Sequence, residues 1–216
     1  MANSKFHHEE IYRGEDLVKK LGNFLVVVCG DGAIGSNLVD TLARQGFSDI
    51  RVIDMDRVDT HNINTQTFEE GDVGAMKVAV TQGKVYRTVG IEIDIVSKRL
   101  EAKNVKKFLK GADLVIDGFD NTESRRVVQD YCRKAGLPCL HAGLHTDYGE
   151  VVWDEVYMVP TESAEGDVCD YPLARNLAVI VASITAEETL DFCLSDKPRK
   201  QSWRFTLKDL HIGSYN

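Results

Sequence analysis

The chain has 216 residues, 43% hydrophobic and 28% charged, ordinary usage for one globular domain with at most a modest extension. Acidic residues outnumber basic ones, 34 to 26, for a formal charge of −8, so no broad nucleic-acid or anionic-membrane surface is expected. No apolar run approaches the roughly 20 residues that cross a bilayer. The polar start, with His7, His8, Glu9 and Glu10, lacks the apolar stretch of a signal peptide. Five scattered cysteines form no CxxC pair, which points to a reducing, cytoplasmic setting without a disulfide framework.

Strand and helix signals alternate over the first two-thirds. Phe24 to Cys29 (FLVVVC) is a continuous apolar run, the pattern of a strand buried on both faces. A helix is predicted over Ala33 to Gln45, stopped by Gly46, and a second strand over Ile50 to Ile53. Met76 to Val89 reads as a helix, Ile91 to Val96 as a strand and Ala102 to Lys110 as an amphipathic helix. Asp113 to Ile116 is a fourth strand, Thr122 to Ala135 a helix and Cys139 to Ala142 a fifth strand. The rhythm then changes. Gly149 to Val159 predicts one long strand or hairpin arm, Thr161 to Asp170 an acidic loop, Leu173 to Leu194 a long helix and Trp203 to Leu207 a last strand. The expected fold is α/β, a Rossmann-like doubly wound sheet, mostly parallel, with an antiparallel C-terminal extension. Residues 1–22 form an N-terminal helical arm and 23–216 a single domain.

Gly30-Asp31-Gly32-Ala33-Ile34-Gly35 is a GxGxxG string lying directly after a strand and before a helix. Glycines there permit a tight turn, close approach of backbone to phosphate and close helix–strand packing. The following helix N-terminus offers free N–H groups to an anion. Asp54 closes the second strand, where a carboxylate can accept hydrogen bonds from ribose hydroxyls. These features alone leave NAD, FAD and ATP open.

Further strings follow in order: Asp54-Met55-Asp56-Arg57-Val58, Asn62-Ile63-Asn64-Thr65-Gln66, Val73-Gly74-Ala75-Met76-Lys77 and Asp117-Gly118-Phe119-Asp120-Asn121. The series resembles the ThiF/MoeB family, bacterial relatives of ubiquitin-activating enzymes, whose pattern is GxGGxG, DxDxV, NxxRQ, VGxxK and DxxDN. The resemblance implies an adenylyltransferase that joins a carboxylate, such as the C-terminal glycine of a ubiquitin-like or sulfur-carrier protein, to the α-phosphate of ATP and releases pyrophosphate. It also admits a small acid or a modified nucleoside as substrate. Gly30, Gly32, Ala33 and Gly35 would then lie against the nucleotide, Asp54 and Asp56 on its ribose side, and Asn62, Thr65 and Gln66 near the phosphates. Lys77 would neutralise phosphate charge, from a helix start where the dipole disfavours a cation. Asp120 would hold Mg²⁺, which takes carboxylate and phosphate oxygen, while Asn121 is placed to cap the next helix.

Two departures from the family pattern stand out. Ala33 replaces a glycine, which keeps the backbone close. Thr65 replaces an arginine, which removes a cation from a site that must stabilise charge building on phosphorus. A second family arginine reaches into the other subunit of a dimer, and Arg13 is the candidate for it; Arg57 and Arg99 are further candidates to replace the lost charge. The loss of the arginine also suits a catalytically degenerate, nucleotide-binding partner subunit. An NAD-dependent oxidoreductase is a third reading, since Asp54 suits an NAD ribose. A homodimer and no zinc are expected.

Cys169 sits where some family members form a thioester or persulfide, although its flanking aspartates would raise the thiol pKa. Cys29, Cys132, Cys139 and Cys193 read as core. His141 and His145 read as satisfied polar residues beside a turn. Trp153 and Tyr157 share a strand face, which, if exposed, could receive a carrier protein.

Overall fold

The computed structural model describes residues 4–160, 172–195, 197–199 and 201–215. Two short helices open the chain, α1 (His7–Arg13) and α2 (Glu15–Leu21). There follow β1 (Val26–Cys29), α3 (Ala33–Gln45), β2 (Ile50–Ile53), α4 (Lys77–Val89), β3 (Asp94–Val96), α5 (Val105–Phe108), β4 (Leu114–Asp117) and α6 (Thr122–Ala135). The last part contains β5 (Cys139–His145), β6 (Tyr148–Trp153), α7 (Arg175–Ser195), β7 (Ser202–Thr206) and β8 (His211–Tyr215).

All eight strands form one sheet, in the order β3-β2-β1-β4-β5-β6-β7-β8. The first five are parallel; β5 to β8 pair antiparallel. The apolar run of β1 has its cause in this arrangement. Val26 and Val28 enter a core with α2, α3, α4 and α7, while Val27 and Cys29 face the opposite core with α5 and α6. Both faces of β1 are covered, so no position in it is polar. The chain leaves β1 toward β2 on one side and returns to β4 on the other. The C-terminal ends of β1 and β4 thus frame the switch-point crevice in which open α/β sheets bind ligands.

Helix α7 carries the C-terminal part. Its Leu177, Val181, Ala186 and Leu190 join the core shared with α3. Its buried Glu188 accepts hydrogen bonds from both indoles of the chain, Trp153 at 3.1 Å and Trp203 at 2.8 Å, and Arg199 lies 3.3 Å away. One carboxylate therefore ties β6, β7 and α7 together.

Several sequence expectations are corrected. The predicted long strand to Val159 ends at Trp153, and Trp153 and Tyr157 are buried rather than exposed. The carboxylate of Glu188 and the stack on His141 account for their burial. Strand β3 starts three residues later than expected and α5 is a single turn. Strand β8, rich in exposed polar and small residues, was not anticipated. No helix among the described residues is long and apolar enough to cross a membrane.

Candidate active site

The glycine loop leaves β1 at Gly30, whose φ of 97° is left-handed backbone that favours glycine. A Cβ on Gly30 would meet the Gly118 carbonyl oxygen at 3.0 Å, so the loops after β1 and β4 touch. Gly35 is tighter still: a Cβ there would lie 1.9 Å from the Gly30 carbonyl oxygen. Gly32 is the opposite case, with nothing within 4 Å of an added Cβ. It lines the cleft, and as the N-cap of α3 it offers no side-chain oxygen to the helix N–H groups. Two of these glycines thus close the turn, and the third leaves an uncapped helix N-terminus facing open space, an arrangement suited to an anion.

Two connected hollows, of about 180 and 560 Å³, share Gly32, Asp56, Lys77, Gly118, Phe119 and Asp120. The larger alone falls within the usual range for small-molecule sites, about 300–1,000 Å³. Asp54, from the end of β2, accepts backbone hydrogen bonds from Asp31 and Asp56, both at 2.7 Å. Burial pushes its carboxyl up, and those two N–H groups oppose the rise. Lys77, the first residue of α4, is buried at 7% exposure, and its Nζ lies 3.5 Å from Asp56. A buried cation facing one carboxylate at that distance still has capacity for a phosphate.

Asn62 sits in a 3₁₀ turn after β2, its side-chain oxygen accepting from the Asp59 N–H at 2.9 Å. Thr65 is buried, and its carbonyl accepts from Asn37 at 3.0 Å. Gln66 is only 8% exposed, lines the larger hollow, and its Oε1 is buried without a hydrogen-bond partner among the described residues. Native interiors rarely leave such an atom unpaired, and a bound ligand would supply the missing partner. Asp120 is exposed at the rim of both hollows, forms no ion pair among the described residues, and has Asn121 Nδ2 at 3.4 Å. Asn121 caps α6 by accepting from the Ser124 N–H at 2.9 Å, which leaves Asp120 for a cation. No cluster of three or more candidate metal ligands occurs among the described residues. One exposed carboxylate at the rim of the hollow that the uncapped α3 N-terminus lines would still suit Mg²⁺, which keeps waters and substrate oxygens.

Arg125 went unnoticed in the sequence. It lies on the first turns of α6, lines the larger hollow and is only 9% exposed. It donates to Tyr157 Oη at 3.0 Å and the Ala142 carbonyl at 2.8 Å, and faces Asp117 at 3.4 Å. Behind it, His141 is enclosed between Asp117 at 2.8 Å and Asp154 at 3.0 Å and stacks on Tyr157 at 3.8 Å. Burial works against a charge on His141, but the two carboxylates overcome it and raise its pKa. Burial also pushes Asp117 up, and Arg125 and His141 more than reverse this. The dipole argument applied to Lys77 holds for Arg125 too, a cation near a helix start; a neighbouring Arg126 disguised it as part of a solvated pair.

The remaining candidates lie elsewhere. Arg13 pairs with Glu187 of α7 through both terminal nitrogens, at 3.0 and 2.8 Å, and with Glu9 at 2.7 Å; it does not line either hollow of its own chain. Arg57 and Arg99 do line the cleft, but Arg57 donates to the Gly74 carbonyl and Arg99 pairs with Glu123. Cys29, Cys132, Cys139 and Cys193 are buried, and Cys169 lies outside the described residues.

Residues 7–211 match the ThiF family. The chain belongs to the ThiF family. It is 27% identical over 151 residues to the sulfur carrier protein ThiS adenylyltransferase of Bacillus subtilis, covering 67% of this chain and 45% of that protein. It is 30% identical over 128 residues to the SAMP-activating enzyme E1 of Haloferax volcanii, covering 58% and 47%. The chain therefore spans less than half the length of either relative. Among solved structures, Escherichia coli MccB with MccA-N7isoASN superposes with a TM-score of 0.84 at 21% identity, over 100% of this chain and 72% of that one. That likeness supports the Rossmann-type sheet and its antiparallel extension as a ThiF-type fold.

Proposed function

We propose that this ThiF-family chain is an ATP-dependent adenylyltransferase. It activates a carboxylate, the C-terminal glycine of a ubiquitin-like or sulfur-carrier protein; the Bacillus relative is named a sulfur carrier protein adenylyltransferase and the Haloferax relative a SAMP-activating enzyme. The observation that carries this reading is the buried Lys77 ammonium, which has only the Asp56 carboxylate within 4 Å among the described residues and lines a cleft of nucleotide size together with the uncapped N-terminus of α3. A triphosphate laid along Gly32 and Ala33 would meet the α3 amides and Lys77, while the Gln66 Oε1, an acceptor, would take a ligand hydroxyl or amine. Asp54 and Asp56 would face the ribose. A carboxylate oxygen of the substrate attacks the α-phosphorus, the new O–P bond forms, and the bond to pyrophosphate breaks. No side-chain nucleophile is needed; the protein must align two anions and stabilise the added negative charge. Mg²⁺ on Asp120 would neutralise phosphate charge. With threonine at position 65, Arg125 is a second buried cation lining the larger hollow besides Lys77, and its buried partners fix its position.

The expected homodimer, the trans role of Arg13, a role for Cys169 and a cytoplasmic setting belong to the same proposal. In a dimer, Arg13 would have to leave Glu187 to reach a partner's cleft. Calorimetric titration with ATP·Mg²⁺ and with NAD, on the native chain and Lys77→Ala, tests the site. Binding of ATP lost in the variant supports it; a preference for NAD overturns it. The degenerate partner-subunit reading rests on Thr65 and on the intrachain pairing of Arg13. It is favoured if ATP binds but no carrier supports ATP–pyrophosphate exchange.

A further inference from the structure

Asp31, the second residue of the glycine loop, is fully buried. Its Oδ2 accepts from the Thr81 hydroxyl at 2.7 Å, and its Oδ1 has no partner among the described residues. Its own N–H donates to Asp54 at 2.7 Å. One residue therefore joins three parts of the cleft: the loop after β1, the end of β2 and helix α4. Thr81 stands one turn beyond Lys77 on that helix, so the Asp31–Thr81 bond also sets how Lys77 meets the loop. The charged groups acting on Asp31 are Asp54 from β2 and Lys77 from α4.

Burying a carboxylate with one oxygen unpaired is far less favourable than burying the neutral acid. An ionised Asp31 would also add a third carboxylate, beside Asp54 and Asp56, around the one lysine. We propose that Asp31 is a positioning residue in its protonated form: it locks the glycine loop to α4 through Thr81 and, being uncharged, leaves Lys77 to a phosphate. Burial, the largest influence, pushes this carboxyl up to about 8, with Asp54 adding to the rise and Thr81 and Lys77 opposing it. Nucleotide affinity should therefore fall as pH rises through that value. The proposal rests on the nucleotide reading of the cleft, and it adds a proton requirement to it.

The test is calorimetric titration of the full chain with ATP·Mg²⁺ from pH 7.5 to 9.5, for the native protein, Asp31→Asn and Thr81→Val. If only the neutral form binds, native affinity falls by about 25-fold across this range. Asp31→Asn, neutral at every pH and able to accept from Thr81, should bind at pH 7.5 within about twofold of native and stay flat to pH 9.5. Thr81→Val should weaken binding throughout. Melting without nucleotide supplies a second readout. The folded state holds the Asp31 proton up to about pH 8, whereas the unfolded state releases it near 3.8, so native stability should fall relative to Asp31→Asn as pH rises from 5 to 8 and then level. If ATP binds and the native and Asn profiles coincide, or Asn binds tenfold weaker at pH 7.5, the proposal fails and the site reading stands. If neither protein binds ATP, the site reading fails, and this proposal with it.

Discussion

Two glycine-to-alanine changes three residues apart should separate folding from ligand binding. In a helix interior such a change normally stabilises by about 1 kcal/mol. At Gly35, in the first turn of α3, the new methyl would lie 1.9 Å from the Gly30 carbonyl oxygen, with the Gly30 carbonyl carbon at 2.9 Å. An ordinary contact begins near 3.4 Å, so α3 and the loop would have to part by roughly 1.5 Å. Both contacting atoms are backbone and no rotamer change can relieve them. We expect Gly35→Ala to lose about 3 kcal/mol or more, a fall of about 6–12 °C in melting temperature for a chain of this size. At Gly32 the methyl meets nothing within 4 Å, so the only strain is that of a backbone with φ −88° and ψ −147°, just past the extended region. Gly32→Ala should lose no more than about 1 kcal/mol, about 2–4 °C in melting temperature, yet lose ATP affinity, because the methyl occupies the space beside the α3 amides. Thermal melting with and without ATP·Mg²⁺ measures both. A native-like melting point for Gly35→Ala, or full ATP affinity in Gly32→Ala, would refute this account of the loop.

Replacing Glu188 with Ala should cost about 2–4 kcal/mol by leaving both indole N–H groups unpaired in the core; denaturant unfolding followed by tryptophan emission would show it, and an unchanged midpoint would contradict the anchoring role. Arg125→Leu should destabilise by about 2–3 kcal/mol, because buried Asp117 keeps only His141 as a cationic partner and the Ala142 carbonyl and Tyr157 hydroxyl lose their donor, whereas Arg125→Lys should keep more of the stability yet lose pyrophosphate exchange. The His141 pKa is raised above its usual 6.5, so its stabilising contribution is complete below pH 6.5 and disappears as pH rises through the folded value. His141→Gln should flatten that alkaline loss in a series of melts. Asp154, despite its partial burial, is held down at about 2 by His141, Arg133 and Gln129. Its contribution should persist from neutral pH down to about 4 and fade as pH approaches 2; Asp154→Asn should remove that acid limb.

The parallel half of the sheet was legible because periodicity and flanking glycines agree there. The run at Val26–Cys29 is unbroken because both faces of β1 are buried, and the stops at Gly46 and Gly136 have a local cause, a left-handed glycine after the helix. The tail was harder to read. Trp153 and Tyr157 look like exposed strand residues until Glu188 and His141, distant in sequence, are brought against them. Strand β8 has little apolar content and is ordered by pairing with β7. At the site, motif spacing identified the lining residues Gly32, Asp54, Gln66, Lys77 and Asp120. Arg125 and Asp31 escaped notice because burial decides their meaning. An arginine in a charged run and an aspartate between glycines both look solvated until the fold encloses them.

The most direct test of the central claim is ATP–pyrophosphate exchange with a sulfur-carrier or ubiquitin-like protein bearing a free C-terminal carboxylate. The account predicts exchange that requires the carrier and Mg²⁺, disappears with a C-terminally amidated carrier and is abolished by Lys77→Ala. Exchange that is absent with every carrier, in a protein that binds ATP normally, would contradict it.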